Sequence, residues 1–294
     1  MPLVQQRARA RGDHGGIEPP GKGSPMDVRF DGQVCLVTGA ARGIGFATAQ
    51  LLVESGASVA MVDILGDRLA QSAALLATKG AAAAYPQDLT RIGELAALVE
   101  RVRAELGEID VLIQPAAVGP QRYALDITEQ EWDDVFAVNT KALFFLMREA
   151  VGQSMIPRGR GSVVNFSSIA GLVGMRKPLC SAHYSASKGA VTAITRQAAA
   201  EWAEHGVRVN AVASGGVLTE MTMSLIGDDM PKATALVPLG RLSRPEEVAQ
   251  VVAFYASDLA ANITGQLFVI DGGGYGAQAD PGYLTPQQIA AYAG

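Results

Sequence analysis

The sequence predicts an α/β fold in which a single domain holds one doubly wound sheet of seven parallel strands flanked by helices. Short β-rich segments alternate with longer segments of helical period through most of the chain. Several β-rich segments are apolar at every position, as in parallel strands that helices cover on both faces. Glycines follow many of the apolar segments, where such a fold needs tight turns.

The elements follow from the spacing of apolar residues and from the residues that end each segment. Strands are predicted at residues 33–39, 58–63, 81–88, 110–116, 161–168, 207–214 and 266–271. Helices are predicted at residues 44–56, 67–80, 94–107, 129–155, 183–206 and 245–258. In the first helix, apolar Ile44, Ala47, Leu51 and Leu52 face one side, and Gly56 acts as a stop signal. Right-handed crossovers between such strands produce a doubly wound sheet.

The strand–helix alternation belongs to residues 29–275, which are interpreted as the one domain. Residues 1–28 are rich in Gly, Pro, Arg and Gln without any period, and are interpreted as a disordered N-terminal extension. Residues 276–294 contain two prolines and are interpreted as a C-terminal arm. Residues 214–240 interrupt the alternation without a clear period, which is typical of a lid or binding loop.

Composition and charge exclude several classes of protein. Apolar residues make up 49% of the chain and charged residues 18%, so a large core is available. The net charge of −5 argues against a nucleic-acid partner, and no apolar run is long enough for a membrane span. The two cysteines, Cys35 and Cys180, match no metal-site spacing. We therefore expect a cytoplasmic protein without a metal ion.

A glycine-rich turn predicts a nucleotide site. Residues 38–45 read TGAARGIG, between the first strand and the first helix. Gly39, Gly43 and Gly45 permit a tight turn and a close approach to a diphosphate, which the helix N-terminus also favours. A glycine triplet alone is weak evidence. The strand before it, the helix after it and Asp63 at the end of the second strand make a Rossmann-like dinucleotide site the preferred interpretation.

Acidic residues after two strands bear on the choice of cofactor. The Asp63 carboxylate is expected to accept the ribose hydroxyls of an adenosine and to repel a 2′-phosphate, which favours NAD over NADP. Arg42 favours NADP instead, but Asp63 is given more weight because its charge is expected to lie closest to the 2′ position. Asp88 has two open interpretations, a hydrogen bond to the adenine ring or a cap of the third helix.

A second group of residues predicts acid–base chemistry. Tyr184 and Lys188 are four residues apart, so they share one helix face, and the ammonium is expected to lower the pKa of the phenol. Ser168 ends a strand, where its hydroxyl could hold a carbonyl oxygen beside the tyrosine. Asn139 lies in an apolar helix, where its amide needs partners and indicates a water site. His183 projects away from Tyr184 and is interpreted as a bystander.

Together these motifs resemble a classical short-chain dehydrogenase/reductase over about residues 28–275. The carriers of the resemblance are TGAARGIG, Asp63, Asp88, Asn139, NFSS with Ser168, YSASK, NAVASGGVLT and FVIDGG. It implies an oxidoreductase that transfers a hydride between NAD(H) and a secondary alcohol or ketone. Tyr184 would donate or accept the proton, Lys188 would lower its pKa and bind the nicotinamide ribose, and Ser168 would orient the substrate oxygen. Asn139 would bind a water that links Lys188 to solvent.

The resemblance also implies a cofactor site and a homotetramer. The implied cofactor-binding residues are Gly39, Arg42, Gly43, Ile44, Gly45, Asp63, Asp88, Leu89, Ala116, Tyr184, Lys188, Val217 and Thr219. Among them, the Val217 backbone and the Thr219 hydroxyl would hold the nicotinamide carboxamide. The long helices that contain Asn139 and Tyr184 would pair across a two-fold axis, and outer apolar residues such as Phe144, Phe145 and Trp202 are compatible with burial there.

Three departures from the family pattern leave alternatives open. Gln114-Pro115-Ala116-Ala117 replaces Asn-Asn-Ala-Gly, which is expected to shift the adenosine-side wall, and Ser214-Gly215 replaces Pro-Gly, which is expected to loosen the next loop. The segment between Ser168 and Tyr184 is longer than usual, and its Met175, Arg176, Lys177 and Cys180 could touch substrate. Met221, Met223, Leu225, Leu236 and Val237 favour an apolar or cyclic substrate. The alternatives are an NADPH-dependent 3-oxoacyl-type ketoreductase and a nucleotide-binding regulator with weak catalysis.

Overall fold

The computed structural model describes residues 28–175, 179–226, 230–235 and 237–276 of the 294-residue chain. The interpretation of residues 1–28 as a disordered extension falls, apart from Val28, outside the described residues. The interpretation of residues 276–294 as an arm also falls outside them, apart from Gly276. Arg176, Lys177 and Leu236 are not described either.

The described residues form one seven-stranded parallel sheet, which confirms the predicted fold class. The strands are β1 (Val34–Thr38), β2 (Ser58–Asp63), β3 (Ala82–Pro86), β4 (Ile109–Gln114), β5 (Gly161–Ser168), β6 (Val207–Ser214) and β7 (Leu267–Ile270). Their order in the sheet is β3-β2-β1-β4-β5-β6-β7. Each predicted strand is confirmed, although most begin or end a residue or two inside the predicted range.

Helices cover both faces of the sheet. They are α1 (Gly43–Glu54), α2 (Gly66–Ala77), α3 (Leu95–Leu106), α4 (Glu129–Phe136), α5 (Leu143–Ala150), α6 (Ile156–Arg158), α7 (Ala182–Trp202), α8 (Glu220–Ile226), α9 (Met230–Thr234) and α10 (Pro245–Ala256). Short 3₁₀ turns occur at Ile92–Glu94, Ala124–Asp126, Ile169–Gly171, Ala203–His205 and Asp258–Ala260. Within the described ranges, no helix is both long enough and apolar enough to cross a bilayer.

The apolar strands are buried because helices pack on both sides of them. Along β1, Cys35 and Val37 belong to one buried cluster with residues of α1, α2 and α10. Val34 and Leu36 alternate with them and belong to a second cluster with residues of α3, α5 and α7. Successive side chains of a strand point to opposite faces, so the two clusters are two core layers. This explains why the strand segments are apolar at every position.

Two predicted elements differ in detail from the structure. The predicted helix at residues 129–155 is divided by two π-helical segments, Ala137–Ala142 and Val151–Met155. The first of these segments contains the buried Asn139. The predicted loop at residues 214–240 contains the helices α8 and α9, so the expectation of a segment without regular structure was wrong. These helices are too short to show a reliable helical period in the sequence.

The strand order places a crevice above β1 and β4. The chain moves outward from β1 through β2 to β3, then returns to β4 on the other side of β1. The connections after β1 and β4 therefore run in opposite directions, which leaves a gap between them at the carboxyl ends of the strands. Ligands of open parallel sheets bind at such a switch point, so this edge is where a functional site is expected.

We predict that Leu112→Ala, in the middle of β4, destabilises the protein. Leu112 is fully buried in the second core cluster, so its truncation should lower the free energy of unfolding by about 2–5 kcal/mol. Leu75→Ala is the control, because Leu75 lies on α2 with 56% of its surface exposed and should change stability little. Urea denaturation measures both variants, and equal midpoints would contradict the described packing of β4.

Candidate active site

One cavity of about 420 Å³ lies at the carboxyl ends of the strands, and nearly all predicted site residues line it. The lining includes Gly39, Arg42, Gly43, Ile44, Gly45, Asp63, Asp88, Leu89, Ala116, Ser168, Tyr184, Lys188, Val217 and Thr219. Asn139 is the predicted residue that does not line it, although its neighbour Val138 does. The structure thus brings residues from six strand ends to one place.

The glycine-rich turn has the backbone that a diphosphate site requires. Gly39 and Gly43 both have φ of 58°, a left-handed conformation that favours glycine. A Cβ on Gly45 would lie 2.0 Å from the carbonyl oxygen of Gly39, so a larger residue cannot fit in this turn. Helix α1 begins at Gly43 with no side-chain cap and no acidic residue in its first turn. Its first N–H groups are therefore available to an anion, and the residues fit a dinucleotide.

Asp63 is held in place at the end of β2. One carboxylate oxygen accepts a hydrogen bond from the Ala41 backbone N–H at 3.0 Å, and the other accepts one from the Leu65 N–H at 3.0 Å. The carboxylate is thereby fixed against the turn that follows β1. It lines the cavity beside Arg42, as the sequence-based interpretation expects for a residue near the adenosine ribose.

Asp88 lies at the end of the segment that follows β3. One of its oxygens accepts hydrogen bonds from the N–H of Thr90 at 3.0 Å and from the hydroxyl of Thr90 at 2.7 Å. The hydroxyl of Thr90, ahead of its N–H, stabilises the carboxylate and lowers the pKa of Asp88. The carboxylate therefore stabilises the turn before α3 and also lines the cavity, so both sequence-based interpretations of Asp88 remain compatible with its position.

Ser168, Tyr184 and Lys188 come together where the end of β5 meets α7. A Cβ on Gly171 would lie 2.7 Å from the backbone of both Lys188 and Gly189, so only a glycine permits this close packing. The Ser168 hydroxyl lies near enough to the phenol of Tyr184 to affect its pKa, and both residues line the cavity. The Lys188 ammonium donates to the Phe166 carbonyl oxygen at 2.7 Å. It lies 5.8 Å from the centre of the Tyr184 ring.

Burial governs the pKa values of the tyrosine and the lysine. Removal from water raises the pKa of Tyr184, while the Ser168 hydroxyl acts in the opposite direction. Burial also lowers the pKa of Lys188 to about 8. Lys188 is not among the groups that shift the pKa of Tyr184 here, and desolvation of the phenolate has the largest effect. The expectation that Lys188 lowers this pKa stays a prediction. The ammonium is engaged with Phe166 rather than with the phenol.

Asn139 is buried and acts as a junction between three segments. Its side-chain N–H groups donate to the Val118 carbonyl at 2.8 Å and to the Ser187 hydroxyl at 3.0 Å. Its carbonyl oxygen accepts from the Val118 N–H at 2.9 Å. Within the described part of the chain, no hydrogen bond joins Asn139 to Lys188. The amide has protein partners where the sequence indicated a water, and it connects the loop after β4 to α7.

The segment after β4 that departs from the family pattern is hydrogen-bonded to neighbouring strands. The Gln114 side chain is buried and donates to Asn165 on β5 at 2.9 Å, and Asn165 donates to Thr195 on α7 at 3.0 Å. The Ala116 N–H donates to the Thr38 hydroxyl at 3.3 Å. The glutamine therefore joins two strands and a helix. The expected shift of the adenosine-side wall stays a prediction.

The loop after β6 is tied to neighbouring segments. The Gly215 N–H donates to the Ile270 carbonyl at 3.0 Å, and a Cβ on Gly215 would lie 2.7 Å from the Cβ of Asp271. Val217 is buried and forms a β-bridge with Ser243. A Cβ on Gly43 would touch the Thr219 methyl at 3.4 Å. Thr219 thus lies directly against the glycine-rich turn, and both Val217 and Thr219 line the cavity.

One residue of the cavity lining, Glu220, has contacts that the sequence did not reveal. Glu220, the first residue of α8, forms ion pairs with Arg42 and with Arg68 of α2. The two arginines lower the pKa of Glu220 to about 2, Arg68 having the larger effect. No local pattern could have shown this cluster, because Glu220 is 178 residues from Arg42 and 152 from Arg68.

His183 is fully buried next to Tyr184 in the chain. Its Nδ1 lies 3.0 Å from the Ser181 hydroxyl, and its Nε2 has no hydrogen-bond partner among the described residues. Burial lowers its pKa. His183 does not line the cavity, which agrees with its interpretation as a bystander.

Comparison with known proteins identifies the family. Residues 39–274 match the model of a family described as enoyl-(acyl carrier protein) reductase. The chain belongs to the classical short-chain dehydrogenase/reductase family. It is 37% identical over 255 residues to 2-(S)-hydroxypropyl-CoM dehydrogenase 3 of Xanthobacter autotrophicus, with 84% of this chain and 98% of that protein covered.

Two further members of the short-chain dehydrogenase/reductase family support the same assignment. The 3-oxoacyl-(acyl-carrier-protein) reductase of Thermotoga maritima is 39% identical over 249 residues, covering 84% of this chain and 99% of that protein. A solved short-chain type dehydrogenase/reductase of Mycobacterium marinum is 31% identical with a TM-score of 0.79, covering 84% of this chain and 97% of that one. This short-chain dehydrogenase/reductase is therefore an oxidoreductase that transfers a hydride to or from a small molecule carrying a secondary alcohol or ketone.

We predict that Gly45→Ala disrupts nucleotide binding. The new methyl group would lie against the Gly39 carbonyl, so the turn must shift, at a cost of about 1–3 kcal/mol in stability and about a tenfold or greater loss in NAD affinity. Gly93→Ala is the control, because nothing lies within 4 Å of a Cβ there. Isothermal titration calorimetry measures NAD binding, and wild-type affinity in Gly45→Ala would refute the predicted role of this turn.

Proposed function

We propose that this enzyme oxidises secondary alcohols, or reduces the corresponding ketones, with NAD as the preferred cofactor and Tyr184 as the proton-transfer residue. The observation that carries the proposal is the convergence of Ser168, Tyr184 and Lys188 on the cavity that also contains the glycine-rich turn. Two neutral hydroxyls that line one cavity can hold one substrate oxygen between them and exchange a proton with it.

Each catalytic residue has a distinct task in the proposed reaction. Tyr184 donates its proton to the carbonyl oxygen during reduction and accepts a proton from the alcohol during oxidation. Ser168 donates a hydrogen bond to the same oxygen and so orients the substrate. Lys188 binds the ribose beside the nicotinamide, and its positive charge stabilises the phenolate form of Tyr184. NAD, when bound, supplies the hydride-transfer chemistry.

Three further residues position the reactants. Asn139 connects Val118 to Ser187, which is three residues from Tyr184 on α7, and thereby fixes the cavity wall against the catalytic helix. We assign it this positioning role in addition to the water relay that the family resemblance implies. The Val217 backbone and the Thr219 hydroxyl are proposed to hold the nicotinamide carboxamide, since both residues line the cavity that contains the glycine-rich turn.

Asp63 supports the proposed preference for NAD. Its carboxylate is fixed by the Ala41 and Leu65 N–H groups at the adenosine end of the cavity. A fixed negative charge there accepts hydrogen bonds from the ribose hydroxyls and repels a 2′-phosphate. Arg42 lines the same part of the cavity, so the alternative of an NADPH-dependent 3-oxoacyl-type ketoreductase has a specific observation in its favour.

A homotetramer is the proposed assembly. Phe144 on α5 is 37% exposed, and Trp132 on α4 is 40% exposed and stacks on Phe136. Phe145 and Trp202 are instead packed against a core cluster, so of the three residues that the sequence suggested for the interface, Phe144 has the greatest exposure. Exposed aromatic residues on these helices are compatible with burial against a second copy.

We predict that Tyr184→Phe abolishes turnover and leaves NAD binding intact. The substitution removes the hydroxyl alone, so the ring still fills its place on α7 but has no proton to transfer. Activity toward a panel of secondary alcohols should fall by about a hundredfold or more, while calorimetry should give a wild-type dissociation constant for NAD. If the wild type and Tyr184→Phe are equally inert while both bind NAD, the protein is a nucleotide-binding regulator and the proposed enzyme function is wrong.

A second prediction concerns the pH dependence of ketone reduction. Reduction needs a protonated Tyr184 and a charged Lys188. The pKa of Tyr184 is raised and that of Lys188 is lowered to about 8, so Lys188 is the first of the two to lose its proton as the pH rises. We expect kcat/KM for reduction to fall as the pH increases through about 8. A profile that stays flat until Tyr184 itself deprotonates would show that the charge of Lys188 is not required.

A further inference from the structure

Glu220 forms ion pairs with two arginines at the end of the cavity where the adenosine is proposed to bind. One of its carboxylate oxygens accepts a hydrogen bond from Arg42 Nη1 at 2.5 Å and another from Arg68 Nη1 at 2.9 Å. The second nitrogen of the Arg68 guanidinium donates to the other oxygen. Both carboxylate oxygens are therefore engaged, and the paired geometry with Arg68 is the bidentate arrangement that carboxylates and phosphates both favour.

The three residues come from three different elements. Arg42 lies in the glycine-rich turn, immediately before α1, and Arg68 lies in the first turn of α2. Glu220 begins α8. Arg42, Glu220 and Asp63 all line the cavity, and the charge of Asp63 is close enough to contribute to the raised pKa of Arg68. The cluster therefore lies beside the carboxylate that is proposed to bind the ribose.

The charges of this region balance. Arg42 and Arg68 supply two positive charges, and Glu220 and Asp63 supply two negative ones. Without Glu220, two guanidinium groups would face one carboxylate, and guanidinium pairs are the groups that bind phosphate monoesters most strongly. With Glu220 present, a phosphate that approaches either arginine competes with a carboxylate that accepts hydrogen bonds from both.

We propose that Glu220 is a specificity-determining residue that excludes NADP by occupying Arg42 and Arg68. The inference rests on the proposed function, because it takes the adenosine ribose to lie at Asp63. A 2′-phosphate at this site must compete with Glu220 for the N–H groups of the arginines and lie beside two carboxylates. A 2′-hydroxyl leaves these contacts intact and donates a hydrogen bond to Asp63. The cluster therefore discriminates between the two cofactors without contacting the nicotinamide end.

Stability alone does not account for the cluster. The side chains of Arg42, Arg68 and Glu220 are 43%, 44% and 52% exposed, and ion pairs with this exposure contribute little to folding. Their effect on a competing phosphate is larger, because the phosphate must replace charge-assisted hydrogen bonds one for one. The expected consequence of losing Glu220 is thus a change in ligand preference with little change in folding.

The test compares two nucleotides that differ in the 2′-phosphate alone, adenosine 5′-monophosphate and adenosine 2′,5′-bisphosphate. Calorimetry gives the ratio of their dissociation constants for the wild type and for Glu220→Gln, which has nearly the same shape without the charge. We expect the ratio to move by about tenfold toward the 2′-phosphorylated nucleotide, and less at high salt. Glu54→Gln is the matched control, since Glu54 pairs with Lys79 away from the cavity and should leave the ratio unchanged.

Adding Arg42→Met and Arg68→Met to Glu220→Gln should reverse the change, because the freed guanidinium groups are its cause. Equal melting temperatures of wild type and Glu220→Gln establish that folding is intact. An unchanged ratio in Glu220→Gln, with both nucleotides bound, overturns this inference and leaves the proposed function standing. A wild type that binds neither nucleotide overturns the proposed function, and the inference with it.

Discussion

The close packing of the Ile169–Gly171 turn against α7 holds the candidate site together. Gly171 lies so near Lys188 and Gly189 that no Cβ fits between them. This contact places the end of β5, with Ser168, beside the helix that carries Tyr184. The parallel sheet then brings the glycine-rich turn after β1 to the same edge. A catalytic phenol and a nucleotide site thus meet because strand ends converge, although their residues are far apart in the chain.

Burial gives the site its electrostatic character. The same removal from water raises the pKa of Tyr184 and lowers that of Lys188 to about 8. Near neutral pH the phenol is consequently protonated and Lys188 is mostly charged, with its titration point only slightly higher. A proton can then be exchanged with a substrate oxygen at modest cost, and small changes in the surroundings of Lys188 alter the balance.

The sequence alone predicted the fold and most of the residues that line the cavity, because both follow from local patterns in the chain. Strand and helix periods are local properties, and Gly45, Asp63 and Tyr184 each belong to a short pattern with a physical purpose. The contacts of Asn139 with Val118 and Ser187 could not be predicted, because they join three segments. The effect of burial on Tyr184 was missed for a similar reason, since desolvation depends on everything packed around the phenol. Glu220 was missed because its partners lie in distant elements.

Transfer of deuterium from substrate to cofactor tests the account most directly. The protein is incubated with NAD and a panel of secondary alcohols that carry deuterium on the carbinol carbon, and the reduced cofactor is analysed by mass spectrometry. The account predicts that, for at least one alcohol, the reduced nicotinamide carries the deuterium, because the hydride passes between neighbours in one cavity. If NAD binds while no reduced, labelled cofactor forms with any alcohol, or if the label appears in water, the account is contradicted.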